Sequence, residues 1–159
     1  SAQLLDETFS RAQQGRLVLT TDHPVLTVGK DLLEFTVTSP VDGVVTVYVH
    51  TTDGQLVRLL PNERVPSVAV TAGQTLALPP RSEAIQSAGP PGRNRLLVVV
   101  SAAPINNPAG LNWGDHHGYG WLDLADWPKN EQGAATLARA LVGPSPDTQA
   151  ATLDINEQP

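Results

Sequence analysis

Between Asn112 and Trp127 the chain reads Asn-Trp-Gly-Asp-His-His-Gly-Tyr-Gly-Trp-Leu-Asp-Leu-Ala-Asp-Trp. This stretch holds all three tryptophans and two of the four histidines in 159 residues. Imidazole and carboxylate are common metal ligands, so ligation is the first chemistry to weigh. Asp115 and His117 stand two apart and would share one side of an extended segment, with Asp123, Asp126, His23 or His50 completing the set. Against this, adjacent His116 and His117 point to opposite faces of a strand, and the spacing matches no established site. The expectation is that no metal or cofactor is bound; if one is, Asp115 and His117 are the ligands.

The aromatic residues of the same stretch allow two readings. Trp113, Tyr119, Trp121 and Trp127 form a surface that meets a ligand or partner, since long ordered loops often carry function. Alternatively the tryptophans fold back and plug an open end of a sheet structure, each burying about 150 to 250 Å² with its indole N–H on a carbonyl.

Other chemistries find less support. There is no Gly-x-Ser-x-Gly elbow and no Ser-x-x-Lys pair to set up a nucleophile. The Gly89-Pro90-Pro91-Gly92-Arg93-Asn94-Arg95 segment combines glycine with base, but its prolines remove the N–H donors a phosphate cradle needs. Asp123 and Asp126 would make a glycosidase-like carboxylate pair only across a cleft of specified width.

Composition narrows the classes further. The formal charge is -6 and the ten Lys and Arg residues are scattered, which argues against nucleic acid and anionic lipid. Cysteine is absent, excluding thiol catalysis, thiolate metal sites and disulfides. Methionine is absent too, so Ser1 is not a translation start and the chain is expected to be processed or cut from something longer. No apolar run approaches the roughly 20 residues that span a bilayer, so no membrane insertion by this chain is expected.

The elements that must position these residues are mostly strands. Leu5, Phe9 and Ala12 fall at helical spacing and Gly15 follows as a C-cap, predicting an N-terminal helix. From Leu17 the period becomes two: Leu33, Phe35 and Val37 alternate with polar residues and should face a core, and Val45, Val47 and Val49 alternate with Thr46, Tyr48 and His50. Asp53-Gly54 turns that strand into Leu56 to Leu60, which Pro61-Asn62 ends. Gly29, Gly43, Gly54 and Gly73 read as turn positions with positive φ. Further strands are expected at 68–70 and 75–78, with a loop from Ser82 to Asn94. Leu96 to Val100 is apolar at every position, as a central strand buried on both faces requires. Pro104 to Gln132 reads as irregular, Ala134 to Val142 as a helix stopped by Gly143-Pro144, and Ala150 to Ile155 as a closing strand.

The order Val28-Gly29-Lys30-Asp31, Phe35-Thr36-Val37, Asp42-Gly43, Tyr48, Asp53-Gly54, Leu59-Leu60-Pro61-Asn62, Ala72-Gly73, Leu78-Pro79, Pro91-Gly92 and Leu96 to Val100 resembles a bacterial domain of unknown function. The resemblance covers about Leu17 to Ala103. It implies a β-sandwich accessory domain, often outside the cytoplasm, appended to serine/threonine kinases, caspase-like peptidases and envelope proteins. It brings no catalytic residues with it.

The expected fold is therefore mainly β: an immunoglobulin-like β-sandwich of about seven or eight strands, with an N-terminal helix and a short helix near the C-terminus. A single domain is expected over 1–159, divided into a helix at 1–15, a sandwich core at 16–103, a Trp/Gly-rich loop and short helix at 104–147 and a closing strand at 148–156. The functional expectation is a noncatalytic binding, sensing or interaction module of a larger bacterial envelope, secretion-associated or signalling protein, periplasmic or extracytoplasmic, its anchor lying outside this sequence. Its partner is expected to be a protein, or else a glycan. The alternatives are a metal-dependent or glycan-acting enzyme built on His116 and His117, and a structural subunit of a secretion or surface assembly.

Overall fold

The computed structural model describes residues 2–106 and 111–159; four residues of the predicted 104–132 excursion, and Ser1, lie outside the described residues. The chain is a β-sandwich with helices at both expected places. Helix α1 spans Ala2–Ala12 and α2 spans Glu131–Val142. The strands are β1 Val18–Thr20, β2 Val25–Thr27, β3 Phe35–Thr38, β4 Gly43–His50, β5 Leu56–Leu60, β6 Ala69–Val70, β7 Thr75–Leu78, β8 Gly92–Ser101, β9 Trp113–His116, β10 Tyr119–Leu122 and β11 Gln149–Gln158.

One sheet is small, in the order β1-β3-β7; the other runs β2-β11-β8-β4-β5-β10-β9, with β6 on the start of β4. Phe35, Val37 and Leu78 of the small sheet meet Val45, Val47, Val49, Leu96, Val98 and Val100 of the large one. Leu33, Phe35 and Val37 are buried as their alternation predicts. Strand β8 lies between β4 and β11, with Val98 opposite both Val47 and Ala151.

A third layer explains why β8 is apolar at every position. Leu97 and Val99 face away from the sandwich core into a second cluster formed by Leu5, Phe9 and Ala12 of α1 and Leu137, Ala138 and Leu141 of α2. Both helices lie on the outer face of the large sheet, and each Leu or Phe buried there stabilises by about 1.5 to 3 kcal/mol. The same layer covers Thr46, Tyr48 and His50, which alternation alone marks as the polar face of β4; all three are buried. Tyr48 Oη donates to the Leu141 carbonyl at 2.7 Å, and His50 Nδ1 meets Asp6 Oδ1 of α1 at 2.9 Å.

The structure corrects two local expectations. Gly43 does not adopt positive φ; it begins β4, and a Cβ there would stand 2.6 Å from the Ser101 carbonyl oxygen, so close strand approach is what requires glycine. The excursion is not irregular throughout. Trp113–His116 and Tyr119–Leu122 form a hairpin whose two loop residues, His117 (φ 57) and Gly118 (φ 86), both take the left-handed conformation of a tight primed turn. The hairpin does not plug an end of the sandwich: β10 pairs with β5, Gly120 opposite Arg58 and Trp121 opposite Val57, and so widens the large sheet.

Candidate functional site: an apolar cleft between unequal sheets

Strands sit about 4.8 Å apart, so a three-stranded sheet is roughly 10 Å across and a seven-stranded one roughly 29 Å. The small sheet therefore leaves part of the large sheet's inner face without a strand opposite it. The chain around residues 83–89 covers some of that face. It is tied to residues 29–33 by Leu33 N–H on the Ile85 carbonyl (2.8 Å), Gly29 N–H on that of Ser87 (2.7 Å) and Ser87 N–H on that of Asp31 (2.8 Å). Beneath it remains an open cleft of about 360 Å³, whose wall includes Leu33, Leu59, Leu96, Ile155, Tyr119 and Trp121.

Alternation along β10 places Tyr119 and Trp121 on this inner face. Trp121 is half-buried, with the His116 ring edge-on at 5.0 Å. Its Nε1 is buried and has no hydrogen-bond partner among the described residues. A buried donor without an acceptor costs about 1 to 3 kcal/mol.

Two carboxylates hold the cleft's cover. Glu83, 4 % exposed, accepts from Arg64 Nε (2.9 Å to Oε2), Arg64 Nη2 (2.7 Å to Oε1) and Tyr119 Oη (2.9 Å to Oε1). The Arg64 hydrogen bond outweighs burial and, with Tyr119 and Asn62, keeps the Glu83 carboxyl below its ordinary range. Burial, and then the bond to Glu83, pushes the Tyr119 phenol up, so it remains a donor. At the other side Glu157 accepts from Ser87 Oγ (2.6 Å), Gly89 N–H (2.7 Å) and Asn94 Nδ2 (2.6 Å).

The four predicted aromatic residues are thus split. Tyr119 and Trp121 line the cleft, whereas Trp113 and Trp127 pack on the helix side of the sheet. Trp113 stacks on Tyr48 with centroids 6.2 Å apart, and Trp127 Nε1 donates to the Leu122 carbonyl at 3.3 Å. Asp115 and His117 do not share a strand face, because His117 is a turn residue and Asp115 Oδ1 accepts from Gly118 N–H at 3.1 Å to close that turn. Among the described residues no three His, Asp or Glu side chains are grouped as a metal site would need. Glu83, Arg64 and Glu157 carry no signal in the sequence, because long-range packing is what brings them together. Arg58 does carry one: it is the only charged residue in the aliphatic run Leu56 to Leu60.

Residues 25–104, half of the chain, match a family described as Domain of unknown function (DUF4384). The chain belongs to this family. The match holds β2 to β8 and begins some residues after Leu17, where the sequence resemblance sets its start. Both helices, β1, β11 and the β9–β10 hairpin lie outside the family segment, so the cleft is built partly from family residues such as Leu59 and Leu96 and partly from Tyr119 and Trp121 beyond it. No curated protein matches the chain. No helix among the described residues is long and apolar enough to cross a membrane.

Proposed function

We propose that this chain is a noncatalytic binding module of a larger bacterial envelope, secretion-associated or signalling protein, acting outside the cytoplasm, and that the cleft beside Trp121 receives an apolar group from its partner. The observation that carries this reading is a largely apolar cleft lined by the half-buried Trp121, whose Nε1 has no hydrogen-bond partner among the described residues. Sites of this composition bind by burying apolar surface and orient the ligand through a few polar groups. The partner is a protein that presents an apolar side chain next to a backbone carbonyl: the side chain fills the cleft and the carbonyl accepts from the indole.

An apolar fluorophore such as 1-anilinonaphthalene-8-sulfonate tests the cleft on the folded chain. Ala84 is exposed and lines the mouth, so Ala84→Trp fills the opening without disturbing the core. Saturable binding of one probe per chain, abolished by Ala84→Trp at unchanged thermal midpoint, supports the reading. Probe uptake that does not saturate, or that ignores Ala84→Trp, overturns it.

A further inference from the structure

The opposite face of the same hairpin carries a second, separate feature. Of the ten Lys and Arg residues, all but Arg58 and Arg95 are exposed. Arg95 is met by Asp154 at 2.9 Å and Asp6 at 3.9 Å. Arg58 has no acidic partner among the described residues, although it lies in the middle of a strand with buried neighbours on both sides. Its guanidinium lies 5.5 Å from the Trp113 ring centroid. Gly120 is opposite Arg58 in the ladder, and a Cβ there would stand 3.4 Å from the Trp113 ring, at van der Waals contact.

Arg58 Nε and Trp113 Nε1 are both buried and both lack an acceptor among the described residues. The two residues line one open groove of about 430 Å³, together with Pro61, Pro66 and Gly114. Half-burying a guanidinium without a counter-charge and orphaning two donors is costly for the free chain, and an acceptor entering beside Arg58 would offset that cost. Trp113 is engaged by Tyr48 and by Arg58, so it offers a ligand no bare stacking surface.

We propose that the Arg58–Trp113 groove binds a single carboxylate, presented by an acidic side chain of a protein partner, which the Arg58 guanidinium holds as the Arg58 and Trp113 side chains shift to uncover Nε and Nε1. The unpaired guanidinium selects the occupant. Its fork matches one carboxylate, and Glu63 and Asp115, which line the same groove and repel any anion, weigh most heavily against a polyanion such as nucleic acid or a sulfated glycan.

The test uses the intact chain and two heptapeptides that differ only at a central glutamate or glutamine, followed by NMR at the Arg58 Nε–H and Trp113 Nε1–H resonances. The glutamate peptide should shift both and bind about tenfold or more tightly than the glutamine peptide, one charge-assisted contact being worth at least that ratio. Arg58→Gln and Trp113→Phe should each lose most of the difference, and Ala84→Trp should leave it intact, which separates this groove from the cleft. Equal binding of the two peptides overturns the proposal using wild-type protein alone. So does a stronger response of both resonances to glucuronate than to the glutamate peptide, which would make the groove a glycan site.

Discussion

Tyr119 Oη donates to Glu83 Oε1 at 2.9 Å, and through this contact the hairpin that widens the large sheet is joined to the segment that roofs the cleft. Arg64 reinforces the joint from outside: its guanidinium binds both oxygens of Glu83, donates to the His117 carbonyl and lies 4.9 Å from the Tyr119 ring centroid. Three segments far apart in sequence therefore depend on one buried carboxylate.

That dependence gives the joint a pH signature. A carboxyl held below its ordinary range contributes its full stability above the ordinary glutamate value of 4.5, and loses it as pH falls through the lower folded value. The wild-type thermal midpoint should begin to fall as pH drops below about 4.5. Glu83→Gln should lower the midpoint by several degrees at pH 7 and flatten the upper part of this acid limb. A lower part should persist. Asp6 also sits below its ordinary range, because His50, Arg93 and Arg95 together outweigh the burial that opposes its charge. Calorimetric scans of both proteins from pH 7 to 3 decide the point; parallel curves would show that Glu83 does not hold the joint.

Trp121→Phe isolates the unpartnered donor. The change keeps an aromatic ring in the cleft and removes only the indole N–H and part of its bulk. Because Nε1 is buried with nothing to bind, its loss should leave the free chain within about 1 kcal/mol of wild-type stability, while weakening partner capture by about 1 to 3 kcal/mol. Chemical denaturation measures the first quantity and calorimetric titration the second. A large loss of stability with unaltered binding would make Trp121 a packing residue.

The parts of the fold readable from sequence are those set by local period. Phe35 and Val37, the β4–β5 turn at Asp53-Gly54 and the aliphatic Leu96 to Val100 each declare their element and its burial. What alternation misjudges is the outer face of β4. Tyr48 and His50 look solvent-facing until helices contributed by the two ends of the chain cover them, and no local pattern encodes a contact between residues 48 and 141. The hairpin was hidden for a different reason: its strands are four residues each, carry Gly114 and Gly120 in place of β-branched residues, and turn on His117-Gly118 rather than Asn-Gly or Asp-Gly. Trp113 and Trp121 are accordingly visible as unusual residues but not as occupants of opposite faces.

Gly118→Ala addresses that turn. With φ at 86° the position is left-handed, costing a side chain about 1 to 2 kcal/mol. The added methyl would also collide with the Arg64 guanidinium that binds Glu83. The loss should be local: amide exchange should accelerate in residues 113–122 and around Glu83 while the β4–β8 ladder keeps its protection. Uniform acceleration across β8 would mean that the hairpin and the core unfold together.

Tyr48→Phe probes the attachment of the helical layer. The last four carbonyls of a helix lack intrahelical donors, and Leu141 lies in the final turn of α2. Its carbonyl accepts from Tyr48 Oη at 2.7 Å in a fully buried setting, and burial pushes the phenol far above its ordinary range, so the hydroxyl stays a donor through any ordinary working pH. Removing it preserves the ring that stacks on Trp113 and leaves a buried acceptor unmet, a cost of about 1 to 3 kcal/mol. For a chain of this size each kcal/mol lowers the midpoint by about 2 to 4 °C. Helical circular dichroism at 222 nm followed through the melt should show α2 loosening at or before the main transition. An unchanged midpoint would mean that apolar packing by Leu137, Ala138 and Leu141 alone fixes the helix to the sheet.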